Sequence, residues 1–151
     1  MSEMIQFELV NENHFPELLL MMQDFYAIDA YAFNKELASS NLQIFTASEN
    51  IGRIWMIKNA DQIAGYVILT FYFSFEFGGK TAFVDELFLK PAYRGKGIGS
   101  MVLDFISQKA KEFSLKALHL EVERHNEGGN RLYAKKGFKE HKRALLTKIM
   151  M

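Results

Sequence analysis

The sequence contains no cysteine, and this absence removes several kinds of chemistry. Without thiols there is no disulfide, no thiolate-bound zinc and no cysteine nucleophile. The first ten residues, MSEMIQFELV, lack the basic flank and following apolar run of an export signal. No apolar stretch approaches the roughly 20 residues that a helix needs to cross a bilayer. These absences predict a soluble, cytoplasmic protein without a membrane partner.

An excess of either charge is also missing, because 18 Lys and Arg residues balance 18 Asp and Glu residues. The balance hides a split along the chain. Residues 1–75 carry three bases and nine acids, whereas residues 76–151 carry fifteen bases and nine acids. The asymmetry suits an anionic partner for the second half and a cationic one for the first, although scattered solvated charges give the same pattern. No basic run interleaves with aromatic residues, so a nucleic-acid partner is not expected.

What is present is the composition of one globular domain over residues 1–151. Hydrophobic residues make up 49% of the chain and charged residues 24%, which suits a folded core rather than disorder. Hydrophobic periodicity and turn residues predict an α+β fold, with a mixed, mostly antiparallel sheet and helices on both faces. The predicted strands are Ile5–Val10, Arg53–Lys58, Ile63–Phe77, Thr81–Leu89, Ala117–Val122 and Lys139–Ile149. The predicted helices are one capped by Asn11 or Asn13, one starting near Asn34, Gly97–Phe113 and Asn130–Lys136.

The strand Ile63–Phe77 has the clearest local pattern. Its odd positions from Ile63 onward are all apolar except Gly65, and its even positions from Thr70 onward become polar. Such period-two alternation predicts one core face and one solvated face. We therefore expect most phenylalanines of this strand to belong to the core rather than to a cofactor site.

A glycine-rich turn, RGKGIG at positions 94–99, follows the strand that ends at Leu89 and opens the third predicted helix. Glycines let the backbone approach a ligand and aim N–H groups at it, and the helix start adds its positive dipole end. The turn therefore predicts a phosphate or pyrophosphate site. Neither the dinucleotide fingerprint nor the Walker loop is present.

The motif R-x-x-G-x-G after a D-E-L-F-L-K-P strand resembles the acetyl-CoA signature of the GNAT superfamily of N-acetyltransferases. His119–Phe138, which reads HLEVERHNEGGNRLYAKKGF, resembles the second cofactor block of that superfamily. The resemblance implies a GNAT fold that is splayed at the cofactor site, with acetyl-CoA as co-substrate. It also implies the cofactor-binding residues: the backbone of Leu87, Phe88 and Leu89, the loop of Arg94, Gly95, Lys96, Gly97, Ile98 and Gly99, and Asn126.

The same resemblance implies the catalytic groups. Tyr133 matches the tyrosine that protonates the departing CoA thiolate, a step that a phenol suits. The attacking amine must lose a proton, and Asp85 and Glu86 are the nearest acids to the reactive strand. Neighbours on a regular strand face opposite sides, so only one of them reaches the site unless a bulge intervenes. Histone-type members carry their glutamate where this chain has Phe83, which weakens a histone-type mechanism.

The acceptor is predicted to be a small cationic amine. Acidic and aromatic residues of the first half and of the hairpin suit such a ligand through charge pairing and cation–π contact. The acceptor-binding candidates are Tyr26, Asp29, Tyr31, Tyr72 and Glu76.

Several alternatives stay open at this point. The chain could be a non-catalytic module that binds CoA or a nucleotide as a sensor, or an acetyltransferase for a protein amino group. A homodimer is the default expectation from the superfamily. The four histidines have no metal-ligand spacing, so no metal is expected.

Overall fold

The computed structural model describes residues 4–150, so that residues 1–3 and 151 of the predicted domain lie outside the described range. The chain divides into two units, one up to Glu121 and one from Val122 onward. The first unit contains a five-stranded sheet in the order β1-β2-β3-β4-β5. Its strands are β1 Ile5–Leu9, β2 Gly52–Asn59, β3 Gln62–Ser74, β4 Gly79–Leu89 and β5 Leu118–His119.

Strand pairing confirms a mixed, mostly antiparallel sheet. Neighbouring strands from β1 to β4 are antiparallel. Short turns join β2 to β3 and β3 to β4, as antiparallel pairing allows, whereas the two helices α1 and α2 lie between β1 and β2 along the chain. The pair β4–β5 is parallel, and α3 lies between these two strands along the chain. A parallel pair needs such a crossover connection. Of the predicted strand Ala117–Val122, only Leu118–His119 pairs with the sheet.

The helices of the first unit are α1 Phe15–Ile28, α2 Lys35–Thr46 and α3 Ile98–Glu112. Asn11 caps a short 3₁₀ turn, Glu12–His14, that leads into α1 with Pro16 in its first turn. The Asn34 side chain accepts the N–H of Leu37 at 3.0 Å and caps α2. Both caps satisfy backbone donors that a helix start leaves open, which is why these positions could be predicted.

Helices pack on both faces of the sheet, as predicted, and a hydrophobic core lies under the helices of each face. Leu18 and Met21 of α1 and Leu42 of α2 pack on one face with Tyr66 and Ile68 of β3. On the other face, apolar residues of α3 pack against β3 and β4; they include Val102, Ile106, Val67, Leu69 and Val84. No helix among residues 4–150 is both long and apolar enough to cross a membrane.

Two phenylalanines of the β3 hairpin contradict the expectation that most of them are core. Phe73 is 64% exposed and Phe75 is 92% exposed. Phe71 packs edge-on against Phe113, which follows the last turn of α3, at 5.6 Å between ring centroids. Beyond Phe71 the hairpin therefore runs past the end of the helix that covers this face, and β3 ends at Ser74 rather than Phe77. Alternation predicted the face of these residues, but it could not predict where the covering helix ends.

The second unit contains α4, Glu127–Lys135, which starts three residues before the predicted Asn130. Gly137 follows it with φ +96°, a left-handed conformation that suits glycine. The predicted final strand, Lys139–Ile149, is wrong, because residues 139–150 adopt neither helix nor strand and are exposed. Leu145 and Leu146 are adjacent in this segment, so that it lacks the strict alternation of a half-buried strand.

Candidate active site

The site is built around two adjacent carboxylates on β4. Ile68 of β3 pairs with Glu86, but the next residue, Leu69, pairs with Val84. Asp85 is therefore the extra residue of a β-bulge, which breaks the alternation of the strand. As a result the neighbours Asp85 and Glu86 both line one cavity. The parity of a regular strand would have allowed only one of them to do so.

The cavity lies between α1, the segment leading into α2, α2 itself and the sheet, and it has a volume of about 330 Å³. Its walls are mainly apolar. Five of its residues are polar or charged, and both charged ones are the carboxylates of β4. The lining comprises Met22, Tyr26, Ala32, Phe33, Asn34, Leu37, Ala38, Asn41, Leu42, Phe45, Ile54, Ile68, Asp85 and Glu86.

Two tyrosine hydroxyls hold the Glu86 carboxylate. Tyr66 donates to Oε1 at 2.7 Å, and Tyr26 donates to Oε2 at 2.9 Å. Burial raises the pKa of Glu86 above its ordinary value, and the charge of Asp85 adds to this, while both tyrosine hydrogen bonds oppose it. Burial and the Glu86 charge raise the pKa of both phenols, so that they stay protonated donors. Glu86 is thus a partly buried, rigidly held carboxylate.

Asp85 is the more exposed of the two carboxylates. The surrounding residues remove part of the hydration of the Asp85 carboxylate, and this raises the pKa of Asp85 as well. A carboxylate whose pKa is raised is a stronger base when it is ionised. Both groups are therefore suited to accept a proton from a ligand in the cavity.

Next to the carboxylates, one edge of β4 has no strand partner among residues 4–150, and we call it the open edge. Val67 and Tyr66 of β3 pair with Leu87 and Phe88 along one edge of the strand. On its other edge β4 pairs with β5 only at Ala82 and Phe83. The strands separate after Phe83, which leaves the edge of residues 84–89 outside the β4–β5 pairing. Because the side chains of Leu87, Phe88 and Leu89 pack in the two cores, the backbone of this stretch is the part suited to pair with a ligand.

The glycine-rich turn leads from this edge to α3. Gly95 and Gly97 have φ values of +72° and +82°, and a Cβ at either position would meet no atom within 4 Å. Gly97 is the N-cap residue of α3 and supplies no side-chain cap, while Ile98 is buried and anchors the helix start. The first N–H groups of α3 therefore lie beside a glycine-rich turn, an arrangement suited to binding an anion.

The basic residues of the turn differ in their surroundings. Arg94 donates from Nε to the carbonyl of Leu89 at 2.8 Å, and its guanidinium lies over the Phe88 ring at 5.4 Å from the centroid. Lys96 is exposed. Arg94 thus fixes the turn to the end of β4, and Lys96 adds positive charge beside Gly97 and Gly99.

Comparison with protein-family models gives one match over most of the chain. The model of the acetyltransferase (GNAT) family matches residues 17–138. The chain belongs to the GNAT family of acetyltransferases. The resemblance of the two sequence blocks and the predicted fold class are thereby confirmed.

Known proteins agree with this membership. The N-acetyltransferase YycN of Bacillus subtilis, itself uncharacterized, is 32% identical over 88 residues, which is 58% of this chain and 55% of YycN. The chain thus matches about half the length of this curated relative. An integron cassette protein from the mobile metagenome of Cole Harbour Salt Marsh has a TM-score of 0.86 at 29% identity and covers 99% of this chain and 92% of its own. A predicted acetyltransferase from Clostridium acetobutylicum, solved with acetyl-CoA, has a TM-score of 0.80 at 18% identity, with 96% of each chain covered.

The second GNAT block forms α4 and the residues around it. The Asn126 side chain accepts the N–H of Gly129 at 3.0 Å and caps α4. Tyr133 lies half-buried in α4, with its ring edge-on to Phe138 at 6.1 Å between centroids. Burial raises the pKa of Tyr133, so that the phenol carries its proton at neutral pH.

Of the predicted acceptor-binding residues, only Tyr26 lines the cavity of this GNAT chain. Asp29 follows the end of α1, Tyr31 is mostly exposed, and Glu76 lies in the turn after β3. Tyr72 stacks on Phe83 at 5.3 Å between centroids. The structure therefore does not bring these four side chains into the lining of the cavity.

Sequence reasoning missed Tyr66, which is fully buried and donates to Glu86. It occupies an even position of β3, on the face that was expected to be polar only from Thr70 onward. Tyr66 pairs with Phe88, two residues beyond Glu86, and this register between β3 and β4 cannot be predicted from a local sequence pattern. Among residues 4–150 no group of three or more His, Asp or Glu side chains is arranged to hold a metal ion.

Proposed function

We propose that this chain transfers the acetyl group of acetyl-CoA directly to a small cationic amine. The observation that carries the proposal is the pair of carboxylates brought by the Asp85 bulge into one small cavity, beside the open edge of β4. A cation is attracted to such a cavity, and the same carboxylates are bases for its proton. Family membership supplies the reaction class.

The residues at the cofactor side fit an anionic thioester ligand. Backbone groups of Leu87–Leu89 lie on an edge that could pair with an amide-containing arm, and a β4 N–H would polarise the thioester carbonyl. The turn from Arg94 to Gly99 would hold the pyrophosphate through backbone N–H groups and positive charge. Acetyl-CoA supplies an acetyl group on a good leaving group, so that no covalent enzyme intermediate is needed. The Clostridium acetobutylicum protein, solved with acetyl-CoA, shares this fold.

The carboxylates act on the acceptor. An alkyl ammonium has a reference pKa near ~10.4, so it must lose its proton before it attacks. Glu86, fixed by Tyr26 and Tyr66, accepts that proton directly or through a water, and Asp85 shares the role or attracts the cation. The raised pKa values of both acids favour proton acceptance near neutral pH.

Tyr133 is the proposed acid for the departing thiolate. Its position in the family block and its protonated, half-buried phenol support this role. Asn126 is proposed to contact the cofactor through the part of its amide that does not cap α4. A homodimer and a cytoplasmic location stay predictions from the sequence.

A charge comparison supports a cationic acceptor over an anionic one. The charged side chains of the cavity lining are both acidic, and the first half of the chain carries nine acids against three bases. A sensor module that only binds CoA has no need of a held carboxylate pair. An acetyltransferase for a protein amino group would share the chemistry, but a cavity of about 330 Å³ suits a small ligand better.

The test is thiol release from acetyl-CoA across amines of matched size and opposite net charge, at low and high salt. Cationic amines should react best, and their advantage should shrink at high salt. Glu86→Gln should lower kcat by about 10²–10⁴-fold, the range of general base catalysis, with unchanged acetyl-CoA affinity. Acetyl-CoA binding without turnover for every amine would favour the sensor module. Preference for anionic amines would remove the cationic acceptor.

A further inference from the structure

The walls of the cavity point to more than a positive charge on the acceptor. We propose that the acceptor is a primary monoamine whose body is apolar, rather than a polyamine or an amino sugar. This inference rests on the proposed acetyl transfer and names its substrate class. It comes from the distribution of polar and apolar groups in the lining.

The negative charge of the cavity is confined to one place. Asp85 and Glu86 are consecutive residues of one strand, and none of the other lining residues is ionisable apart from Tyr26. The Tyr26 hydroxyl is already committed to Glu86 at 2.9 Å. The cavity therefore offers one position for an ammonium group, and no carboxylate stands elsewhere in its lining to receive a second.

The rest of the lining is largely apolar. The Asn34 side chain accepts the N–H of Leu37 through Oδ1 and caps α2, so that away from the carboxylates the polar side-chain groups of the lining are the Asn34 Nδ2 and the Asn41 amide. The Phe33 ring packs edge-on against Tyr26 at 5.3 Å between centroids, which gives the ammonium position an aromatic wall. Nine residues form the apolar walls: Met22, Ala32, Phe33, Leu37, Ala38, Leu42, Phe45, Ile54 and Ile68.

The energetics separate ligand classes. A methylene that leaves water for apolar walls gains about 0.8 kcal/mol, which is about fourfold in affinity. A second ammonium or several hydroxyls placed against the buried part of these walls, formed by Met22, Leu42, Ile54 and Ile68, would lose hydration without finding partners. A chain of methylenes is thus favoured over a diamine of the same length, and the volume of about 330 Å³ restricts the ligand to a small one.

The experiment compares n-butylamine, n-pentylamine and n-hexylamine with 1,4-diaminobutane and 1,6-diaminohexane. With acetyl-CoA present, kcat/KM from thiol release should rise about fourfold for each added methylene of the monoamines. Hexylamine should exceed 1,6-diaminohexane at least tenfold. Calorimetric binding of the same amines to the protein alone should follow the same order.

A matched pair of variants locates the effect. Leu37 and Leu20 are both helical leucines that are 57% exposed, but only Leu37 lines the cavity. Leu37→Gln should flatten the chain-length series for the monoamines. Leu20→Gln on α1 should leave the series unchanged, and both variants should keep the acetyl-CoA KM of the parent protein.

The outcomes distinguish this inference from the proposed function. Equal or better turnover with the diamines, or a flat monoamine series, would overturn the apolar acceptor while acetyl transfer stands. Absence of thiol release with every amine would overturn acetyl transfer. In that case the calorimetric series still decides the inference, because a fourfold gain per methylene supports it and a flat series refutes it.

Discussion

Replacing Tyr66 by phenylalanine should destabilise the fold more at neutral pH than at acidic pH. The hydroxyl of Tyr66 donates to Oε1 of Glu86 at 2.7 Å, and the residue is fully buried. Phenylalanine keeps the ring that packs against Phe88 and Phe25, at 5.8 and 6.4 Å between centroids. The substitution therefore removes one hydrogen bond to a carboxylate and leaves the packing of the core in place.

The expected magnitude depends on the charge of Glu86. A hydrogen bond to a charged group contributes about 1.5–3 kcal/mol, and one to a neutral group about 0.5–1.5 kcal/mol. With Glu86 ionised, Tyr66→Phe should cost about 2 kcal/mol, or about 4–8 °C in Tm for a chain of this size. With Glu86 protonated, the cost should fall to about 1 kcal/mol.

The direction with pH follows from the pKa of Glu86. Burial raises this pKa above the ordinary value of 4.5, so the folded protein holds the proton more tightly than the unfolded chain. The stability that the fold gains from this tighter proton binding is fully present below pH 4.5, and it is lost as pH rises through the raised pKa of Glu86 in the folded protein. The Tyr66 hydrogen bond lowers the pKa of Glu86, so its removal raises the pKa further and makes the loss larger in the variant.

The assay is urea unfolding of the parent protein and of Tyr66→Phe, below pH 4.5 and at mildly alkaline pH. Tyr72→Phe is the matched control, because the Tyr72 ring stacks on Phe83 and lies outside the group of hydroxyls that hold Glu86. Its effect on the free energy of unfolding should not depend on the charge of Glu86. Equal destabilisation by Tyr66→Phe at both pH values would refute the assignment of Glu86 as the ionisable partner.

Two further predictions concern the cofactor side. Gly97→Val should raise the KM for acetyl-CoA several-fold, because valine disfavours φ +82° and its side chain would stand at the start of α3. The control Gly78→Val, at φ +89° in the β3–β4 turn, should cost similar stability but leave that KM unchanged. Equal KM values for the two variants would contradict the anion site. Tyr133→Phe should lower kcat by about 10²–10⁴-fold with little change in acetyl-CoA affinity, and unchanged kcat across the pH range would exclude Tyr133 as the acid.

The features predicted correctly from sequence are those encoded locally. Asn11 and Asn34 mark helix starts because their side chains cap backbone donors within three residues. The turn at Gly95 and Gly97 could be predicted because a positive φ is where glycine is needed. Motif spacing over the second half was enough to identify the family before any contact was known.

The features that failed depend on residues distant in sequence. Phe75 has the same alternation as buried strand residues, yet it is exposed because the hairpin extends beyond α3. Lys139–Ile149 contains apolar residues but forms no strand, since a strand requires a hydrogen-bonded neighbour as well as a composition. The cavity also combines residues from α1, α2, β2, β3 and β4, and no single segment contains its shape.

The bulge at Asp85 explains how one strand serves both a core and a site. Before it, Ala82 and Val84 pack in the core beneath α3, and after it the odd positions Leu87 and Leu89 do so. The positions that face α3 thus change from even to odd across Asp85 and Glu86, a change that the structure shows and that the sequence does not contain, because Phe83 and Phe88 are apolar as well. An unbulged strand would have turned Glu86 into the apolar core under α3, where a carboxylate finds no compensating partner. With the bulge, Glu86 instead meets the hydroxyls of Tyr26 and Tyr66. The same extra residue that keeps a charge out of the core therefore brings two carboxylates to the cavity.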